Sequence, residues 1–193
     1  MRAVEPHAFV STETCMHSQQ RKLTYHVATT LDGFIAREDD SFDCYSNEGD
    51  HVTDYLATLR TYGAVLMGRR TYDIGLKFDV TDPYPYLDTY VFSRSMKESP
   101  NPRVKLISED VVGAVRALKA QEGKDIYLAG GGELATQLFT AGLVDEVLTK
   151  VNPLLLGTGI PLVKRLPTHI PLELRSTKVY RTGVVLLQYA VRR

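Results

Sequence analysis

Between Lys22 and Gly142, short apolar runs alternate with stretches of helical periodicity. Nothing else in the chain constrains its fold as strongly. A strand followed by a helix before the next strand builds parallel pairs, and such alternation defines an α/β domain. In 22-KLTYHVATTLDGFIA-36 the apolar Leu23, Tyr25 and Val27 alternate as in a strand, and Asp32-Gly33 breaks it. Val52, Tyr55, Leu56, Leu59 and Tyr62 share one helical face, with Gly63 as its stop. A strand at 64–68 and a short helix opening at 69–75 follow, then a loop rich in aromatics and proline from Lys77 to Leu87. Strands are predicted at 89–93 and 104–107, followed by a helix carrying Val111, Val112, Val115 and Leu118 behind an N-cap at Ser108.

The third repetition is 125-DIYLAGGGELATQLF-139, a strand and a helix separated by three glycines. The chain closes with a strand at 146–151 and apolar strands at 172–180 and 184–191, joined through Thr182-Gly183 as an antiparallel hairpin. The expectation is therefore a mixed, mostly parallel central sheet flanked by helices. Right-handed crossovers would bring the strand C-termini to one edge, where ligands bind in open α/β sheets. The segments after Met67, Phe92 and Ala129 meet there.

The length of 193 residues suits one domain, assigned to 21–193. Residues 1–20 form a polar leader without the basic start and apolar run of a secretory signal, and are left outside the fold. A net charge of zero gives no reason to expect nucleic acid or an anionic membrane as partner. Two isolated cysteines, Cys15 and Cys44, make neither a disulfide framework nor a zinc site and predict a reducing, cytoplasmic setting. No histidine has metal-ligand spacing, so no metal is expected and the zinc-deaminase pattern is absent.

Glycines at a strand-to-helix junction leave backbone N–H groups open and let an anion approach closely, which is a physical reason for Gly130, Gly131 and Gly132. Gly130, Gly132 and Ala135 also satisfy G-x-G-x-x-A. The acidic ribose ligand that an ordinary dinucleotide fold carries ~20 positions later is missing from 151-VNPLL-155. Tight strand–helix packing is the alternative. A second strand runs through Gly68 into Arg69, Arg70 and Thr71, and a third ends 91-VFSRS-95 with Ser93 and Arg94. Arginine offers a fixed positive fork for phosphate, so three such segments at one edge would hold a long phosphate-bearing ligand.

The order LDGFIA, VLMGRRTYD, VFSRS and IYLAGGGELATQLF resembles the dihydrofolate reductase-like fold. It looks especially like stand-alone relatives of the reductase domain of the bifunctional riboflavin-biosynthesis enzyme; VNPLLLGTGIPL is typical of that side. The resemblance implies NADPH as cofactor, transfer of hydride to a small heterocyclic or imine/carbonyl substrate of the pterin or ribosylamino-pyrimidine class, and a homodimer. Gly68, Arg69, Arg70 and Thr71 would hold phosphates. Ser93 and Arg94 would line the adenine ribose, and Gly130 to Gly132 would pass beneath the pyrophosphate. Glu133 stands where a basic residue often follows, which leaves Arg69 and Arg94 to read the 2′-phosphate.

On the substrate side, the resemblance puts Asp32, with Thr30, beside the nicotinamide as the catalytic candidates. The pterin-binding acid of dihydrofolate reductases falls near Val52, with Asp50 and Asp54 on either side as substrate-lining candidates. Tyr72, Tyr84 and Tyr86 are candidates for a stacking wall. The rival readings are a nucleotide- or flavin-binding module of the same fold without turnover, and a structural or interaction protein.

Overall fold

The computed structural model describes residues 20–193; the leader up to residue 19, with Cys15, lies outside the described residues. Two strands open the chain, β1 (Leu23–Thr30) and β2 (Phe34–Ala36), before helix α1 (Asp50–Leu59). Then follow β3 (Ala64–Gly68), α2 (Arg69–Leu76), β4 (Asp88–Phe92), β5 (Lys105–Ile107), α3 (Val111–Ala120), β6 (Ile126–Gly130) and α4 (Gly132–Thr140). Four strands finish it: β7 (Glu146–Asn152), β8 (Ile160–Pro161), β9 (Leu172–Val179) and β10 (Val185–Val191).

Eight of these strands form one sheet in the order β5-β4-β3-β6-β1-β7-β10-β9. The pairs from β5 through to β7 are all parallel, whereas β10 runs antiparallel to both β7 and β9. The expected mixed α/β sheet with its terminal hairpin is thus present. A small antiparallel pair of β2 with β8 was not anticipated; two- and three-residue strands are too short to show alternation.

Strand alternation sorts the core into two layers. On one face Leu23, Tyr25, Leu66 and Leu128 pack against Val115 and Leu118 of α3 and Leu134 and Leu138 of α4. On the other, Val65, Met67, Val91 and Tyr127 pack beneath Leu59 of α1 and Tyr72 of α2. Helices on both sides explain why β3 and β6 read as continuous apolar runs rather than alternating ones. The hairpin has no such cover: β9 is exposed along nearly its whole length.

Two local expectations need correction. The N-cap of α3 is Asp110, whose Oδ1 accepts from the Gly113 amide at 2.9 Å, so the helix starts later than Ser108 implied. In α1, Leu59 is buried but Leu56 is half-exposed, because the inward face runs through His51, Tyr55 and Leu59 and Leu56 lies off it. Among the described residues no helix is long and apolar enough to cross a membrane.

Candidate functional site

The parallel strands deliver Gly68, Ser93 and Gly131 to the same edge of the sheet, and a cleft of about 1620 Å3 opens there. Pockets for a single small ligand commonly measure about 300–1,000 Å3. This one has room for two molecules, such as a nucleotide and an acceptor.

One end is rich in backbone donors. Helices α2 and α4 begin directly at the ends of β3 and β6, with Gly68 and Gly131 as N-caps, and neither cap supplies a side-chain hydrogen bond. Their first-turn amides are therefore left without the usual partners, at the positive ends of two helix dipoles. The two starts abut: a Cβ placed on Gly68 would lie 3.5 Å from the Gly131 amide nitrogen. Gly130 ends β6 with φ +125°, a conformation side chains disfavour, and is followed by a cis peptide to Gly131. Gly131, Thr71 and Ser93 line the cleft beside them.

The arginines differ in their engagement. Arg69 donates from Nε to Asp73 Oδ1 at 2.6 Å, and Arg70 pairs with Asp40 at 2.8 Å across the cleft wall. Arg94 is exposed on the cleft and has no ion-pair or hydrogen-bond partner among the described residues. Ser93, buried, accepts from the amides of Ser95 and Met96, and so holds the turn that presents Arg94. Glu133 pairs with Lys164 at 2.5 Å. That hydrogen bond and the lysine charge, aided by Arg70 and Arg94, hold its carboxyl below the usual range.

The other end is aromatic. Tyr55 of α1 places its hydroxyl 3.1 Å from that of Tyr127 and 3.4 Å from that of Tyr84. Lys150 of β7 sets its ammonium 3.8 Å from the centre of the Tyr55 ring. Burial pushes Lys150 down to about 8, and it has no carboxylate or hydrogen-bond partner among the described residues. His26 of β1 meets Tyr55 edge-on at 5.2 Å, and burial, with Lys150 near, pushes it down to about 3. Its Nε2 is buried without a partner. Such a group costs about 1–3 kcal/mol unless a ligand or water satisfies it.

The proposed substrate and catalytic residues are placed elsewhere. Asp32 accepts from the amides of Leu156 and Gly157 and from Thr30 Oγ1, hydrogen bonds that hold its carboxyl low. Thr30 is buried beneath it. Neither lines the cleft; their interactions fasten the loop after β1 to the one after β7. Asp54 is held by Lys178 and by Tyr180 at 3.0 Å, and Asp50 faces Arg181, so both tie α1 to the hairpin instead of lining the cleft. Tyr72 is fully buried and donates to the Thr81 carbonyl at 2.7 Å, because the side of α2 that carries it packs on the sheet. Of the three tyrosines considered for a wall, Tyr84 alone lines the cleft, while Tyr86 lies half-exposed with Arg60 over its ring. Val52 and Tyr55, read as core, face the cleft. Cleft-lining residues not singled out from sequence include His26, Lys150 and Asn152, whose amide donates to the Thr29 carbonyl at 3.1 Å; the available signal was a polar residue in the middle or at the end of a central strand.

The fold is dihydrofolate reductase-like. The chain belongs to the family of the RibD C-terminal domain, whose model matches residues 21–186. It is 33% identical over 168 residues to the uncharacterized protein YwjB of Bacillus subtilis, covering 86% of this chain and 97% of that one. A second B. subtilis protein, the uncharacterized YyaP, is 32% identical over 183 residues. Among solved structures, a protein of Shewanella sp. PV-4 ascribed to riboflavin biosynthesis superposes with a TM-score of 0.78 at 27% identity, covering 89% of this chain and 99% of that one. The dihydrofolate reductase of Enterococcus faecalis, complexed with NADP(H), shares the fold with a TM-score of 0.67 at 16% identity, covering 90% and 98% of the two chains.

Proposed function

We propose that the protein is an NADPH-dependent reductase of a small heterocyclic or imine/carbonyl compound, of the pterin or ribosylamino-pyrimidine class. The observation that carries this reading is the meeting of two helix N-termini without side-chain caps at Gly68 and Gly131, on a cleft large enough for two ligands. Oriented amides beside a surface without Cβ atoms suit a diphosphate. Arg94, unpaired among the described residues, is the group best suited to the 2′-phosphate, with Arg69 behind it in the Asp73 pair. Family membership and the NADP(H)-bound Enterococcus relative support the same cofactor. When bound, NADPH supplies the hydride. The protein's part is to hold the diphosphate, seat the acceptor among the tyrosines and limit water there. The exposed Leu172, Leu174 and Val179 of β9 offer an apolar surface for the homodimer that belongs to this reading.

The test is thermal unfolding with NADPH, NADH or neither. Ligand at a hundred times its dissociation constant stabilises by about 2.7 kcal/mol. For a domain of this size that is a rise of about 5–11 °C. Arg94→Ala should abolish the excess of NADPH over NADH while leaving the NADH shift. No shift with either nucleotide would refute the reading.

A further inference from the structure

We propose that the aromatic end of the cleft is a subsite for a planar, conjugated compound carrying a negative charge, with Lys150 as the cation that pairs with it. This rests on reading the opposite, glycine-lined end as the cofactor's. Four of the cleft's five acids are engaged elsewhere: Asp40 is paired with Arg70, Asp43 with Arg37 and Glu133 with Lys164, and Asp110 caps α3, while Glu109, beside that cap, makes no ion pair with Lys150. Among the described residues no carboxylate pairs with Lys150, whose ammonium lies over the face of Tyr55.

A cation placed in an apolar wall without a counter-ion is unfavourable until an anion joins it. Burial lowers Lys150 only to about 8, so the ammonium still predominates at neutral pH. The surroundings narrow the anion's shape. Tyr55 and Tyr84 supply ring surface, their hydroxyls in contact with each other and, from Tyr55, with that of the buried Tyr127, which favours a flat partner over a compact inorganic anion. His26 packs edge-on against Tyr55 at the same end, its neutral imidazole keeping the wall uncharged beside Lys150. Register reinforces the grouping: Lys150 lies opposite Ala28 on β1, two residues along the strand from His26, so the two side chains share one face of the sheet.

Orotate and uracil, one pyrimidine with a carboxylate and one without, are suitable probes for calorimetric titration of the full chain. Orotate should bind at least about tenfold more tightly than uracil, as expected for a charge-assisted contact. Lys150→Met should erase the preference and Lys150→Arg should retain most of it, with circular dichroism confirming that both variants fold. A general loss of packing would weaken both probes alike and would not be rescued by arginine. Equal binding of the two probes to the wild type, binding of neither, or a preference that survives in Lys150→Met would overturn the proposal. The NADPH-induced rise in unfolding temperature, read on the same samples, reports on the other end. Its absence with the orotate preference intact would remove the reductase reading and leave the anion subsite standing.

Discussion

Neighbouring glycines at the start of α4 should respond to alanine in opposite ways. A Cβ on Gly132 would lie 2.6 Å from the Pro161 carbonyl oxygen, where ordinary contact begins at 3.4 Å. The overlap is with backbone, so either α4 or β8 has to move. Overpacking of this kind costs about 1–3 kcal/mol, which in a domain of this size lowers the unfolding temperature by about 2–12 °C. A Cβ on Gly131 meets nothing closer than Thr71 Oγ1 at 3.5 Å, and the residue's φ of −90° is open to alanine. Gly131→Ala should therefore keep the wild-type unfolding temperature or raise it slightly, since the unfolded chain loses freedom. Its methyl group would stand in the cleft at the proposed diphosphate, and the stabilisation by NADPH should fall by half or more. Differential scanning fluorimetry of the two variants, with and without NADPH, reads both effects. A Gly131→Ala protein with the full NADPH shift would refute the placement of the diphosphate. A Gly132→Ala protein within a degree of wild type would refute the close α4–β8 contact.

Other perturbations follow from the same geometry. Tyr72→Phe deletes a buried hydrogen bond to Thr81 and should lower stability by about 1 kcal/mol; a change in NADPH affinity without a change in stability would contradict its place in the core. Asp32→Asn should loosen the loops it joins and increase proteolysis near Leu155–Gly157, while NADPH binding persists; loss of NADPH binding with the loops still resistant would restore Asp32 to the site. His26 has its folded pKa depressed to about 3, below the ordinary 6.5, so its contribution is present above pH 6.5 and declines as pH falls toward 3. By pH 5 it should have removed about 2 kcal/mol of stability relative to neutral pH. His26→Gln should flatten that part of the profile, and an unchanged slope in the variant would show that other groups cause it.

The parallel sheet and the glycine-lined edge of the cleft were legible because both depend on local order. Apolar runs, helical periodicity and glycine at the junctions lie within a few residues of one another, as in VLMGRRTYD and YLAGGGELATQLF. The aromatic end and the anchoring of Asp32 were not legible. Val52 and Tyr55 carry the same helical pattern as core residues, since an apolar cleft wall and a core interface ask for the same side chains. Asp32 looked like an available carboxylate because its partners at Leu156 and Gly157 are 124 and 125 positions away. Lys150 was one lysine in a strand until its lack of a counter-ion could be seen.

The fastening of the loop after β1 has a dynamic consequence. Leu31 donates to Leu154, Asp32 receives Leu156 and Gly157, Leu162 donates to Gly33, and β2 pairs with β8. Segments more than a hundred residues apart in sequence therefore form one flap at the rim of the cleft, which Ile35 and Ile160 line from its two halves. Such a unit opens as a whole or not at all, so its amides should exchange with deuterium at one common free energy of opening. Ligand exchange would then be timed by this single cooperative event instead of by two independent loops.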